Sequence, residues 1–313
     1  MLDGYGRTIR YLRLSVTDQC NYRCRYCMPE TAVEDRPARG ILSVEECVEI
    51  AAAAVRCGVE KIRLTGGEPL FRRDILEICR GIAVLPGLRE LCVTTNGALL
   101  AEYADSLRNA GVCRLNVSLD SLRPERFTAL TRRGRLEDVW NGLAAAEQAG
   151  FSDLKLNVVL IGGVNDGEIA DFVSLTEARP WEVRFIELMP VGPCAGWGRE
   201  RFLPADRVLE VCPALEPLPG QGTARRYRVP GWAGTVGLIA PLSHRFCRSC
   251  DRIRVTADGM LKGCLHSREE LPLRGLHGAA LEAALRQGIL QKPAGHQLDR
   301  GSQTPRRMNE IGG

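Results

Sequence analysis

Between about residue 11 and residue 190 the sequence alternates short apolar runs with longer amphipathic stretches, six times in succession. The short runs predict strands at 11–16, 61–65, 91–95, 115–119, 154–160 and 183–188. The longer stretches predict helices at 43–56, 73–84, 99–109, 136–149 and 166–176. Six β/α units favour parallel strands with right-handed crossovers, so we expect an α/β fold, a partial (β/α)6 TIM-type barrel. In such a fold the reactive residues lie in loops at the carboxyl ends of the strands.

A stretch rich in proline and glycine at residues 213–222 interrupts this alternation. Such residues mark turns and linkers, so we predict a domain boundary there. Residues 1–219 would form the partial barrel, and residues 220–313 a smaller C-terminal domain of short strands and turns.

Three cysteines follow the first predicted strand, with gaps of three and two residues between them: Cys20, Cys24 and Cys27. We call them the first triad. A closed tetrahedral zinc site normally needs four ligands, and no fourth cysteine occurs before Cys47. A 4Fe-4S cluster held by three cysteines instead leaves one iron open for a small molecule. The spacing therefore favours an iron–sulfur cluster over zinc.

The second triad lies in the predicted C-terminal domain: Cys247, Cys250 and Cys264. By itself its spacing fits equally well a zinc site completed by His266 or His244. The presence of the first triad shifts the interpretation toward a second 4Fe-4S cluster, which would make this a cluster-binding domain.

The remaining seven cysteines lie in apolar segments, as small core residues would: Cys47, Cys57, Cys79, Cys92, Cys113, Cys194 and Cys212. We expect free thiols in a reduced compartment, the cytoplasm. The 42 basic and 38 acidic residues are too balanced for a general nucleic-acid footprint. No apolar run approaches the ~18 residues of a membrane helix, and the N-terminus lacks a secretory apolar segment. We therefore expect neither nucleic acid nor membrane as a partner.

Two motifs resemble the radical S-adenosylmethionine superfamily. One is the first triad, in which Tyr26 precedes the last cysteine. The other is Gly66-Gly67-Glu68-Pro69, directly after the second predicted strand. A residue without Cβ lets the backbone approach a ligand closely, and the resemblance implies that this loop holds the methionine amino group.

Longer stretches resemble the GTP 3',8-cyclase family of molybdenum cofactor biosynthesis. They lie at 12–29, 61–69, 94–97, 116–120, 155–159, 184–190, 246–259, 263–265 and 312–313. Asp251 departs from the asparagine expected there. The resemblance implies hydrogen abstraction from C3' of GTP and ring closure to (8S)-3',8-cyclo-7,8-dihydroguanosine 5'-triphosphate, using two 4Fe-4S clusters and S-adenosylmethionine. It also implies a homodimer and a flavodoxin- or ferredoxin-type electron donor.

The same resemblance assigns residues to ligands. S-adenosylmethionine would contact Tyr26, Gly67, Ser118 and Met189. GTP would contact Arg13, Lys61, Arg63, Thr94, Lys155, Arg252 and Arg254. The expected catalytic residues are Arg252, Arg254, Gly312 and Gly313.

Two alternatives remain open from the sequence. The chain could be a peptide-modifying radical enzyme with an auxiliary cluster, although such enzymes usually carry more auxiliary cysteines. It could instead be a non-catalytic zinc or redox module that uses both triads structurally. An iron content of about eight per chain would exclude the second alternative.

Overall fold

A computed structural model describes residues 1–31, 40–220, 222–296, 298 and 304–313. Its strands are β1 Tyr11–Ser15, β2 Lys61–Thr65, β3 Glu90–Thr95, β4 Arg114–Ser118, β5 Lys155–Leu160, β6 Glu182–Glu187, β7 Glu216–Leu218, β8 Arg225–Arg228, β9 Thr235–Ile239, β10 Arg252–Val255, β11 Met260–Lys262 and β12 Leu271–Pro272. Its α-helices are α1 Val44–Arg56, α2 Ile75–Ala83, α3 Leu100–Asn109, α4 Pro124–Thr131, α5 Leu136–Gln148, α6 Ile169–Ser174, α7 Arg207–Val211, α8 Gly278–Leu290 and α9 Met308–Ile311.

The strands form one sheet in the order β12-β11-β10-β1-β2-β3-β4-β5-β6-β9-β8-β7. Neighbours from β10 through β6 to β9 pair in parallel, and the outer strands pair antiparallel. The predicted α/β architecture is therefore confirmed, and the six predicted strands match β1–β6 to within one residue. The long β/α periodicity made this possible because each buried parallel strand needs a helix to cover it.

The C-terminal part of the chain adds strands on both sides of the six-stranded core. Tyr11 on β1 aligns with Arg252 on β10, and Glu182 on β6 aligns with Thr235 on β9. The predicted boundary between residues 219 and 220 stays a prediction, but residues beyond it complete the same sheet.

The sequence analysis missed two helices of eight or more residues. The α4 sequence has Pro124 at its first turn but only a weak apolar stripe. The α8 helix is rich in alanine, and buries Leu281, Leu285 and Ile289. Short apolar faces of this kind are supported by tertiary packing rather than by a strong periodic signal.

Most of the scattered cysteines are buried, as expected, but two are not. Cys113 is exposed because it lies in the turn before β4, and Cys212 is half-buried at the end of α7. All thirteen cysteines are free thiols. No helix in the described ranges is long and apolar enough to cross a membrane.

Candidate active site

The carboxyl ends of the parallel strands surround a cavity of about 300 Å³. All six cysteines of the two triads line it, although about 220 residues separate the triads in the sequence. The sheet brings them together because β1, which leads into the first triad, pairs directly with β10, which follows Cys250. The two groups thus face one another across a single space.

The loop of the first triad is fixed to its surroundings by hydrogen bonds. The Tyr26 hydroxyl donates to Asp120 Oδ2 at 2.6 Å, and Asp120 Oδ1 accepts the Val159 backbone N–H at 2.8 Å. Burial raises the pKa of Asp120 to about 6, although both hydrogen bonds oppose that rise. Tyr26 is therefore held at the ends of β4 and β5 and faces the cavity.

The thiols of the first triad are free and lie close enough to influence one another. Burial raises the pKa of Cys20 to about 12, and burial together with the neighbouring cysteines raises the pKa of Cys24. Burial also raises the pKa of Cys27, although the Asn309 backbone N–H donates to its sulfur. Without a metal these thiols stay protonated at neutral pH, and bound iron would supply the charge that stabilises thiolates.

Within the described ranges, no group of His, Cys, Asp or Glu side chains is arranged to hold a single metal ion. A tetrahedral zinc with Zn–S bonds of about 2.3 Å needs sulfurs only about 3.8 Å apart. A cluster gives each thiolate its own iron, so its ligands stand farther apart.

The Gly66–Gly67 pair joins the end of β2 to the loop of the first triad. A Cβ on Gly67 would lie 2.1 Å from the Gln19 carbonyl oxygen, so no side chain fits there. The Gly67 N–H donates to the Thr17 oxygen at 2.8 Å. The glycine thus permits close backbone packing and also lines the cavity, together with Ser118 on β4 and Met189 after β6.

A cluster of arginines lies on neighbouring strands at the other side of the cavity. Arg13 on β1 aligns with Arg63 on β2 and with Arg254 on β10, and Arg252 lies two residues before Arg254. Thr94, Arg13, Arg252 and Arg254 line the cavity. In the described part of the chain, no Asp or Glu side chain forms an ion pair with Arg13, Arg63, Arg252 or Arg254.

The pKa values of Arg13 and Arg254 reflect first their burial and then the positive charge of neighbouring arginines. Burial and then Arg252 lower the pKa of Arg254 to about 10, and burial and then Arg254 lower that of Arg13 well below its ordinary value. Burial raises the pKa of Tyr11, but the surrounding arginines outweigh it and bring the value to about 8. Adjacent cations without anions are typical of a site that binds an anionic ligand.

Three of the residues expected to contact GTP do not line the cavity. Lys61 Nζ lies 2.5 Å from Glu90, and buried Lys155 Nζ lies 2.5 Å from Glu182. Arg63 Nε donates to the Tyr11 hydroxyl at 2.5 Å. These residues lie below the cavity, toward the amino ends of the strands, where acidic neighbours already pair with both lysines.

The Gly312–Gly313 segment enters the site. Arg254 Nη1 donates to the Gly312 oxygen at 2.5 Å, and Arg13 Nη2 donates to the Gly313 oxygen. Gly312 has a φ of +83°, and a Cβ there would lie 2.4 Å from Thr65 Oγ1. Gly313 lines the cavity. The pair therefore lies between the arginines and the end of β2.

Several cavity residues were absent from the predicted site. Glu68 and Asp120 lie within the motif stretches, so their position after a strand could have indicated them. Arg7, His266 and Lys292 also line the cavity, and only the tertiary structure brings them there. His244, the other candidate for a zinc ligand, is exposed and contacts Asp206.

Comparison with known proteins agrees with this geometry. The sequence profile of the Radical SAM superfamily matches residues 14–176, and that of Molybdenum Cofactor Synthesis C matches residues 181–298. The GTP 3',8-cyclase of Peptoclostridium acidaminophilum is 47% identical over all of this chain and 98% of its own length. Those of Alkaliphilus metalliredigens and Moorella thermoacetica are each 44% identical, over the full length of both chains. The chain belongs to the GTP 3',8-cyclase family.

Solved structures of other radical SAM proteins share the fold. Streptococcus suis SuiB gives a TM-score of 0.63 at 15% identity, over 92% of this chain and 67% of that one. Methylornithine synthase (PylB) gives 0.51 at 18% identity, over 66% of this chain and 63% of that one. The full-length relatives favour the cyclase family over both alternatives that the sequence left open.

Membership of the radical SAM superfamily implies S-adenosylmethionine and one 4Fe-4S cluster. The first triad fits that cluster, because its three cysteines line one cavity and a cluster held by three thiolates would keep one iron open for S-adenosylmethionine.

Proposed function

We propose that this chain is a GTP 3',8-cyclase that converts GTP into (8S)-3',8-cyclo-7,8-dihydroguanosine 5'-triphosphate, the first step of molybdenum cofactor biosynthesis. The observation that carries the proposal is that Arg13, Arg252 and Arg254, which have no Asp or Glu partner in the described residues, line the same cavity as both cysteine triads. Full-length relatives of that name support it.

A second 4Fe-4S cluster forms part of the proposal. Cys247, Cys250 and Cys264 would hold it, and the zinc alternative requires a fourth ligand such as His266. His266 lies in the cavity with an unpartnered Nδ1 and would suit that role, so the proposal rests instead on the first triad and on the Molybdenum Cofactor Synthesis C match at residues 181–298. The open iron of this cluster would bind the guanine base of GTP.

S-adenosylmethionine would bind beside the first triad, against Tyr26, Gly67, Ser118 and Met189. Bound to the reduced cluster, it supplies the 5'-deoxyadenosyl radical that removes hydrogen from C3' of GTP. The protein's own contribution is to fix both ligands in one space and to exclude water. The Tyr26–Asp120 hydrogen bond would hold one wall of that space rigid.

The arginines would neutralise the triphosphate, which carries about four negative charges. Each charge-assisted hydrogen bond contributes about 1.5–3 kcal/mol, so several are needed for tight binding. Arg13, Arg252, Arg254 and Thr94 lie at the cavity wall. Arg63 would act from just below them, and Lys61 and Lys155 would bind phosphate only by giving up part of their contact with Glu90 and Glu182.

Gly312 and Gly313 would act through the arginines. Their oxygens accept from Arg254 and Arg13, so they would orient both guanidinium groups toward the substrate. We therefore propose that Gly312 and Gly313 contribute to catalysis by orienting these two guanidinium groups.

The two triads should fail in different ways. Cys24→Ala should abolish formation of 5'-deoxyadenosine, because the cluster that activates S-adenosylmethionine loses a ligand. Cys250→Ala should abolish the cyclised nucleotide while sparing some uncoupled formation of 5'-deoxyadenosine with a chemical reductant. Anaerobic product analysis by mass spectrometry measures both products in one sample.

Cys79→Ala is the matched control, since Cys79 is a buried core cysteine remote from the cavity. Equal loss of both products in Cys250→Ala, in protein that retains the first cluster, would contradict separate roles for the triads.

The remaining assignments concern partners and compartment. We propose a one-electron donor of flavodoxin or ferredoxin type, since exposed Arg25 lies between Cys24 and Tyr26 where such an acidic protein could dock.

Thirteen free thiols support our proposal that the protein is located in the cytoplasm. Exposed Leu2, Tyr5 and Leu290 support a homodimer, because Gly4 packs against the Leu290 oxygen and brings these side chains onto one surface.

A further inference from the structure

The segment 292–296 lies directly on the second triad. A Cβ on Gly263 would be 3.0 Å from Lys292 Cα, and a Cβ on Gly295 would be 3.4 Å from Cys247 Sγ. Glycine at both positions lets the segment pack against the backbone on either side of the triad.

Lys292 is a buried cation of an unusual kind. Lys292 is only 2% exposed. Its Nζ donates to the Gly263 oxygen at 2.6 Å and to Cys250 Sγ at 3.5 Å. No carboxylate in the described part of the chain forms an ion pair with it. Buried Lys262, by contrast, lies 2.8 Å from the Glu270 carboxylate.

An ammonium group removed from water is costly unless an anion lies beside it. Among the described residues that the Lys292 ammonium group hydrogen-bonds, Cys250 is the one whose side chain can carry a negative charge. The lysine is therefore placed to interact with a thiolate bound to iron, rather than with an acidic side chain.

Arg7 fixes the segment that carries Lys292. Its Nε lies 2.6 Å from Asp3, and its terminal nitrogens donate to the oxygens of Pro293, Cys247 and Ala294 at 2.7, 2.8 and 3.0 Å. One guanidinium thus joins segment 292–296 to the loop of the second triad, and Lys292 has little freedom to move away.

We propose that Lys292 is a positioning residue for the second cluster, whose N–H···S bond to Cys250 stabilises the ligand and raises the cluster's reduction potential. The inference rests on the proposed second cluster. Hydrogen bonds to cluster sulfurs and nearby charge are established determinants of such potentials, because they favour the more negative, reduced state.

The test is a potentiometric titration of the anaerobic holoprotein, followed by electron paramagnetic resonance. The signal that Cys250→Ala lacks belongs to the second cluster. Lys292→Met should move the potential of that signal to a more negative value, Lys292→Gln should move it less, and Lys292→Arg should restore most of the difference. Lys262→Met is the matched control and should move the potential much less than Lys292→Met, because Lys262 is paired with the Glu270 carboxylate and donates no hydrogen bond to a cysteine sulfur in the described residues.

Loss of about four irons in Lys292→Met but not in Lys262→Met would also support the proposal, since the lysine would then be needed to retain the cluster. An unmoved potential in Lys292→Met, or equal shifts in Lys292→Met and Lys262→Met, would overturn it while leaving the second cluster in place. A wild-type protein with only about four irons would overturn the second cluster itself, and this inference with it.

Discussion

At the scale of single residues, the basic side chains of the proposed GTP site differ in their acidic neighbours. Arg13, Arg252 and Arg254 lie on the neighbouring strands β1 and β10, and no Asp or Glu side chain in the described residues pairs with them. Lys61 and Lys155 carry the same charge but contact Glu90 and Glu182. Basic residues in the proposed GTP site therefore differ in whether an acidic side chain already engages them.

Charge reversal at Arg254 should weaken GTP binding by about 100-fold or more, because several kcal/mol of charge-assisted hydrogen bonding becomes repulsion. Calorimetry on anaerobic Arg254→Glu measures the effect. Arg89→Glu is the control, since Arg89 is exposed and remote. GTP affinity equal to wild type in Arg254→Glu would contradict the assignment.

Glu68 should make stability depend on pH. Burial raises its pKa from 4.5 to about 7, although it accepts bonds from the Asn96 and Leu70 N–H groups. The folded state then favours the protonated form, so this contribution is complete below pH 4.5 and is lost as pH rises through 7. The shift corresponds to about 3 kcal/mol.

Urea unfolding of the cluster-free protein at several pH values tests this expectation. Wild type should lose about 3 kcal/mol relative to Glu68→Gln between pH 4.5 and pH 8. Glu102→Gln, at an exposed carboxyl on α3, should follow wild type. Parallel pH profiles for wild type and Glu68→Gln would show that the carboxyl is not protonated in the fold.

Among the secondary-structure elements, α9 links the two halves of the site. The Asn309 side chain donates to the Asp18 oxygen at 2.9 Å, and its backbone N–H reaches Cys27. Gly312 caps the carboxyl end of the helix, and its oxygen accepts a hydrogen bond from Arg254 Nη1. One short helix therefore contacts both the first triad and the arginine cluster.

Gly312→Ala should slow hydrogen abstraction from C3' by more than about tenfold, since the left-handed backbone disfavours alanine and the new Cβ would meet Thr65 Oγ1. GTP deuterated at C3' shows the effect as reduced transfer of deuterium into 5'-deoxyadenosine. Deletion of Gly312 and Gly313 should have the same effect with both clusters retained. Gly275→Ala is the matched control, because its φ is +78° with open space around it. Transfer at the wild-type rate in Gly312→Ala would exclude a role for the pair.

The whole molecule depends on strands supplied from its C-terminal part. Without β9 and β10, strands β6 and β1 would become unpaired edges of a parallel sheet. Buried parallel strands are rarely stable as exposed edges, because their backbone groups lose partners and their apolar faces lose cover.

A chain that stops at residue 219 should therefore fail to unfold cooperatively and should aggregate. Circular dichroism during thermal unfolding, with the full chain as control, measures this. A sharp transition in the shortened chain would show that residues 1–219 form an independent domain.

The sequence alone was sufficient for the β/α alternation, the boundaries of β1–β6 and the two cysteine triads. Hydrophobic periodicity and cysteine spacing are local properties of the sequence, and the periodicity persists in the fold because each buried strand must be covered. Most of the site residues that the motif resemblance assigned line the cavity.

Only the tertiary structure could show which charges are paired and which are not. Arg7 and Lys292 belong to no recognised motif, yet β1–β10 pairing and the segment 292–296 place them at the second triad. Lys61 and Lys155 belong to clear motifs, yet acidic neighbours engage them. The free energy of a buried charge depends on its neighbours in space, and those come from strands and loops far apart in the sequence.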